Sequence, residues 1–305
     1  MKKFLLKTAI FFALVTAIDV SCGFAFNALL SRAKYGDTYK NNYIANICAD
    51  DIIILGSSHA VRHYVPSVIQ DSLGLTCYNF GEPGCGIIPA YARYKMVVER
   101  KKPKLVIYEV TPGYDYLVSD DYSKYLGKVR QYSYKKHVAE LYETLGDDLE
   151  HFRLLSNMYR NNSCIVYNLM DLIVPTKDNR GYRPIYGVLT EETIKKKEKT
   201  QVEKDIKGLE IDSLKLSYVE KLFADAKSDG INLLCIVSPR FIENEDLYQP
   251  ARNLCKKYGI PFVDNRNYEG ITGNKELFQD FGHLNDKGAK KYTSSIIPML
   301  RKYLY

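Results

Sequence analysis

The sequence contains no tryptophan and only five histidines. Its seven cysteines, at positions 22, 48, 77, 85, 164, 235 and 255, include no CxxC pair and no Cys/His cluster at zinc spacing. That excludes a metal site built on thiolates, and nothing in the sequence implies a cofactor. An odd count leaves at least one thiol unpaired, and Cys77, Cys164 and Cys235 lie in apolar, strand-like surroundings where free cysteine behaves as a small hydrophobe. The net charge of +7, from 43 basic against 36 acidic residues, sits at the N-terminus and in scattered Lys pairs rather than in one dense patch. Such a distribution argues against a nucleic-acid partner. There is no internal repeat and no low-complexity tract, and 46% apolar residues suffice for a sizeable core. Aromatic surface falls instead to 26 tyrosines, of which Tyr114, Tyr116, Tyr122 and Tyr125 cluster. A packing surface is the commoner role for such a cluster, and stacking on sugar rings the sharper one.

What is present begins with "MKKFLLKTAIFFALVTAIDVSCGFAFNALL", in which Lys2, Lys3 and Lys7 precede an uncharged run from Ala9 to Ile18 that is apolar but for Thr16. With the apolar residues beyond Asp19, residues 1–30 are about long enough to span a bilayer. Lys7 can snorkel to the interface. A cleaved signal peptide and an uncleaved signal anchor both fit, but no small-x-small cleavage site follows the apolar core, which favours the anchor. Asp19 stands where a lipobox before Cys22 resembles an aliphatic residue, and a buried N-terminal helix is the plain alternative. The positive-inside rule puts the short tail in the cytoplasm and the rest outside it.

Beyond a polar linker, 31–50, apolar strands alternate with amphipathic helices. "DIIIL" (Asp51–Leu55), Thr76–Phe80, "KPKLVIYEV" ending at Val110, "INLLCIVSP" and "IPFVDN" read as strands. Helices are expected at about Val65–Leu73, Ile87–Glu99, Ser213–Ser228, Glu245–Lys257 and Asp286–Tyr303. The first strand is a continuous apolar run, as in a central parallel strand covered on both faces. The order predicts an α/β fold with a parallel sheet and right-handed crossovers. About 114–209 departs from that rhythm and reads as a mainly helical insertion within a domain spanning 51–305. Its segment "EETIKKKEKTQVEKDIKG" is a solvated helix or arm.

Chemistry is expected at the C-terminal ends of the strands. In "ILGSSHA", Ser58 stands just past the first strand, at a helix start that favours developing negative charge. Serine needs a base, and the candidates are His59, His63, His137, His151 and His283. His59 adjoins Ser58, and adjacent side chains diverge, so instead of serving as base it either lines the cleft as a substrate contact or caps the following helix. His63 and Arg62 fit either a substrate contact or a solvated helix start. In "QDFGHLND" Asp280 precedes His283 by three residues in a short loop, which aims both side chains into one cleft, with the carboxylate fixing the imidazole tautomer. The alternative is a capping loop in which Asn285 or Asp286 opens the last helix. "VSPRF" ends a strand on the same edge, making Arg240 a candidate contact for an anionic or sugar substrate.

Together, "ILGSSHA", "NFGEPGCG" and "DFGH" resemble, in order and spacing, the blocks of the SGNH/GDSL hydrolase superfamily. The resemblance covers about 51–110 and 231–304. It implies a flavodoxin-like three-layer α/β/α fold, with Ser58 as nucleophile, His283 as general base and acid, and Asp280 as its orienting carboxylate. It further implies an oxyanion hole from the backbone N–H of Ser58 and of Gly84, with Gly81 the second choice. Ser57 replaces the family's aspartate before the nucleophile. The family's Gly-x-Asn-Asp, whose asparagine donates to the oxyanion, corresponds to "EVTPGYD", which has no asparagine and leaves Thr111 or Tyr114 as substitutes. The implied function is a membrane-anchored, extracytoplasmic serine esterase removing acyl groups, acetyl foremost, from a glycan or small ester. The alternatives are an O-acyltransferase acting on a cell-surface polysaccharide, and a non-catalytic glycan-binding protein that kept the fold.

Overall fold

The structure is a computed structural model that describes residues 1–118, 126–127, 129–162, 165–174, 179–194, 210–242 and 247–304. Tyr122, Tyr125, Cys164, Glu245 and most of the charged stretch after Thr193 lie outside the described residues. The chain divides into two units, one of residues 1–47 with 121–178 and one of 48–120 with 179–305.

The larger unit holds the sheet. Strands β1 (Ile52–Gly56), β2 (Cys77–Asn79), β3 (Leu105–Glu109), β4 (Asn232–Val237) and β5 (Phe262–Asp264) are parallel and ordered β2-β1-β3-β4-β5. This is the flavodoxin-like order, with its topological switch point beside β1. Ile52 pairs with Cys77 on one side and Leu105 on the other, and Leu105 pairs with Asn232. Every residue of β1, β2 and β3 is buried, which is why these strands read as continuous apolar runs. Alternate side chains serve opposite faces. Ile52, Ile54, Ile107 and Ile236 share a core with Tyr64, Ile69, Tyr292 and Ile296. These last belong to or adjoin helices Ser58–His63, Pro66–Leu73 and Asp286–Lys302, which pack on one another. Tyr108 points the other way and meets Phe223 edge-on, among helices Ile87–Val98, Ser213–Ser228 and Gln249–Tyr258. The three-layer α/β/α architecture follows.

The boundaries of the insertion differ from the sequence expectation. Residues 179–194 belong with the sheet unit through backbone hydrogen bonds, from Asn79 N to Arg180 O, Arg183 N to Val61 O and Leu189 N to Phe278 O. The segment expected as a linker is instead largely helical, with Gly36–Asn42 followed by a wide turn of helix at Tyr43–Ile47. These belong to the smaller unit, together with the N-terminal helix Lys2–Arg32 and helices Lys136–Leu145, Glu150–Arg153, Asn157–Asn162 and Ile165–Ile173. The N-terminal helix has the length and apolar composition to cross a membrane.

One glycine sets the edge where chemistry is expected. Gly56 ends β1 at φ 138°, and a Cβ there would lie 2.7 Å from the Glu109 carbonyl oxygen on β3. Both the backbone conformation and the contact require glycine. Gly74, at the C-terminus of Pro66–Leu73, also has positive φ (67°) but open space around it. Gly56→Ala is therefore expected to lower the unfolding free energy by about 1–3 kcal/mol of strain plus the clash. Gly74→Ala is expected to lose only about 1 kcal/mol. Urea unfolding of the two variants side by side checks the ranking.

Candidate active site

Ser58 opens helix Ser58–His63 immediately beyond β1, so the strand end and the Gly56 turn together deliver its hydroxyl to the sheet edge. Asp280 and His283 sit in the loop before helix Asp286–Lys302. That loop is folded around the Asp280 carboxylate, whose Oδ1 accepts from the backbone N–H of Gly282 (2.9 Å) and of His283 (2.8 Å). The same carboxylate faces His283 Nδ1 at 3.0 and 2.9 Å. On the other side of the ring, His283 Nε2 lies 2.8 Å from Ser58 Oγ. A carboxylate can only accept, so Nδ1 carries the proton and Nε2 presents its lone pair to the serine hydroxyl. Burial alone would raise the Asp280 carboxyl, but the bonds from His283 and the loop amides outweigh it and hold the group below the usual carboxylate range. Asn285 accepts from Gly288 N and caps the last helix, leaving His283 to turn toward Ser58.

The remaining residues singled out from sequence fall in different places. His59 stacks on His283 with centroids 4.9 Å apart and planes 20° apart, and its Nδ1 is 3.3 Å from Thr111 Oγ1. Thr111 Oγ1 is also 2.8 Å from Ser57 Oγ, so "EVTPGYD" reaches the serine turn through a hydroxyl. The Thr111 N–H donates to the buried Asp115 carboxylate at 2.6 Å, and burial pushes that carboxyl up to about 7. Gly84 has φ 69° and open space where a Cβ would sit. The Gly81 N–H is held by Asn79 Oδ1 at 2.9 Å, which commits that donor to the fold. The Asn79 amide itself donates to the carbonyls of Ala60 and Tyr64.

Arg240, expected as a substrate contact, lies within a buried network. It is 5% exposed, with Nη2 3.1 Å from Glu109 Oε1 and Nη1 2.9 Å from Ser238 Oγ. Its charge is spent on an internal ion pair, because Glu109 at the end of β3 is fully buried and requires a cation.

Sequence reasoning missed the network built on Glu109. The Glu109 carboxylate accepts from Tyr64 Oη (2.5 Å), Ser238 Oγ (2.7 Å), Ser238 N and Arg240. Ser238 Oγ is in turn 2.7 Å from His63 Nδ1, and His63 Nε2 accepts from the backbone N–H of Leu284 at 3.0 Å. Because Nε2 accepts, Nδ1 must be the protonated nitrogen, donating to Ser238. His63 is thus a fully buried, neutral imidazole that ties the residue after His283 to the ends of β3 and β4. Burial, and then the Arg240 charge, hold both His63 and His59 well below the usual imidazole range. The one signal of this network in the sequence is a glutamate closing the apolar run "LVIYE". Among the described residues, no group of three or more His, Cys, Asp or Glu side chains is arranged to hold a metal ion.

No family model and no curated protein matches the sequence. Among solved structures the chain is similar to the acetyl xylan esterase AlAXEase (14% identity, 83% of this chain and 99% of that one, TM-score 0.39). It is also similar to a Streptococcus pneumonia protein provisionally described as a platelet activating factor (12%, 94% and 99%, 0.43). A third is CEX, a two-domain esterase active on acetylated mannans (14%, 83% of this chain, 0.38), of whose length the match spans about half, 48%.

The His63 bond to Leu284 N–H places the Asp280–His283 loop without touching Ser58, so its loss should act on turnover. His63→Ala is expected to lower kcat for p-nitrophenyl acetate about tenfold to a hundredfold with little change in KM, through misplacement of His283. His63→Gln, which keeps an acceptor for Leu284 N–H, is expected to recover part of the loss. The pH dependence of stability has a definite sign. A histidine whose folded pKa lies below its unfolded value of about 6.5 binds fewer protons when folded, so stability rises with pH toward that value and is lost as pH falls below it. The urea midpoint should therefore rise between pH 5 and pH 7.5, and rise less in His63→Gln.

Proposed function

We propose that the chain is a serine esterase of the SGNH type, anchored by its N-terminal helix and working outside the cytoplasm. In this reading it removes acyl groups, acetyl foremost, from a glycan or small ester. The observation that carries the proposal is the line of contacts from Ser58 Oγ through the two nitrogens of His283 to Asp280, at 2.8 and 2.9 Å. That arrangement matches the roles of nucleophile, base and orienting carboxylate. Ser58 Oγ attacks the ester carbonyl while its proton passes to His283 Nε2, and the imidazolium is stabilised by Asp280. Expulsion of the alcohol takes that proton back from Nε2 and leaves an acyl group on Ser58. Water, activated by the same nitrogen, then releases the acid.

The backbone N–H groups of Ser58 and Gly84 are assigned to the developing oxyanion. Thr111, whose hydroxyl lies beside Ser57 and His59, is assigned in place of the family's asparagine, with Tyr114 the alternative. His59, stacked on His283, is assigned to the cleft wall. Three lysines ahead of the apolar run support an N-terminus in the cytoplasm and a catalytic unit on the opposite side. Transfer of the acyl group to a sugar hydroxyl would use the same acyl-enzyme with a different acceptor.

Hydrolysis of p-nitrophenyl acetate by the full chain in detergent, wild type beside Ser58→Ala, tests this reading. The expected result is wild-type turnover that falls by about a thousandfold or more in the variant. Equal, near-background rates in both would contradict the esterase.

A further inference from the structure

Two stretches of the smaller unit, 150–158 and 165–173, bury polar side chains and expose apolar ones. In helix Ile165–Ile173, Asn168 is 6% exposed and its side-chain amide lies 2.8 Å from Thr38 Oγ1. Asp171, one turn on, accepts from Thr38 N at 2.9 Å and from Thr38 Oγ1 at 2.7 Å. Val166 (62% exposed), Met170 (55%) and Ile173 (79%), spaced four and three residues apart, share another face and point outward. The same inversion occurs just upstream. Glu150 is 6% exposed and accepts from Tyr159 Oη, while Phe152 and Leu155 are 66% and 71% exposed. A water-facing amphipathic helix has the opposite polarity.

This inverted surface is continuous with the N-terminal helix, which packs on both Asn157–Asn162 and Ile165–Ile173. Asp19, the acidic residue in the apolar run, accepts from Ser156 Oγ (2.6 Å), Asn157 N (2.8 Å), Asn157 Nδ2 (2.9 Å) and Met158 N (3.0 Å). One turn later Gly23 is buried, and a Cβ there would fall 2.5 Å from the Asn157 side chain. An ionisable residue in a membrane helix requires such partners, and these come from the insertion.

We propose that the insertion is a second membrane element, with Ile165–Ile173 and the apolar side chains of 152–158 dipping into the lipid from one side beside the N-terminal helix and held to it through Asp19. Nine residues rise about 13 Å, too short to span the hydrocarbon core, so the helix enters the lipid without crossing it. Exposed His151 and Arg153 in the same stretch suit the headgroup level rather than the bilayer interior. The inference rests on the N-terminal helix being a membrane anchor.

Because the chain has no tryptophan, each single substitution makes a one-tryptophan protein. Ile173→Trp, Phe12→Trp in the N-terminal helix, and the sheet-unit control Tyr186→Trp are reconstituted as full chains in phosphatidylcholine/phosphatidylglycerol vesicles. The expected result is blue-shifted emission from the first two, most of it lost when the phosphatidylcholine is replaced by its dibrominated analogue. Tyr186→Trp should instead emit as in water and be quenched by iodide. If Phe12→Trp is quenched by the brominated lipid but Ile173→Trp behaves like the control, the proposal is overturned and the anchor stands. Blue-shifted Ile173→Trp emission that brominated lipid leaves intact would overturn it in favour of a protein surface, such as a second copy, covering the helix. Lack of lipid quenching at Phe12→Trp would remove the anchor and the proposal with it.

Discussion

The buried carboxylate of Glu109 is the constraint on which the candidate site depends. Removing a charge from water costs several kcal/mol unless it is paired and hydrogen-bonded, and here Arg240, Ser238 and Tyr64 satisfy it together. Satisfying that one group fixes the ends of β3 and β4 relative to the turn after helix Ser58–His63. Through Ser238 it also sets the tautomer of His63, and through His63 it holds the backbone at Leu284. The side chain that approaches Ser58 belongs to the preceding residue. Ser58 and His283 lie 225 positions apart in the chain, yet each is attached to this one cluster by a short path.

The surroundings of His283 also restrict its chemistry. His59 stacks on its ring and His63 meets it edge-on, and both of these imidazoles are held neutral by burial and by the Arg240 charge. Two uncharged rings pack against His283 without adding like charge beside an imidazolium. Asp280, whose carboxyl is held below its usual range, supplies the compensating negative charge.

Much of the sheet was legible in the sequence because its strands are buried on both faces, and a buried parallel strand has no polar positions to disguise it. The Asp280–His283 pair was legible for a local reason, since a three-residue spacing closes within one loop. Arg240 was assigned to a substrate because the partner that absorbs its charge lies 131 positions earlier, at a strand end where a lone glutamate has no periodic signature. Residues 179–194 were placed in the insertion because they join the sheet unit through backbone hydrogen bonds, which leave no trace in side-chain pattern. The linker expected over 31–50 proved helical because Thr38 and its neighbours find partners on Asn168 and Asp171, contacts that local propensity does not encode. The apolar residues of 165–174 would pass for a core helix, and only their exposure in the fold distinguishes them.

The central claim, that Ser58 is an activated nucleophile, is tested most directly by reacting the full chain with a fluorophosphonate and mapping the adduct by peptide mass spectrometry. The account predicts a single covalent phosphonate on Ser58, formed much more slowly once His283 is replaced by alanine. A chain that stays unlabelled, or that carries the adduct on another serine at a rate indifferent to His283, would contradict it.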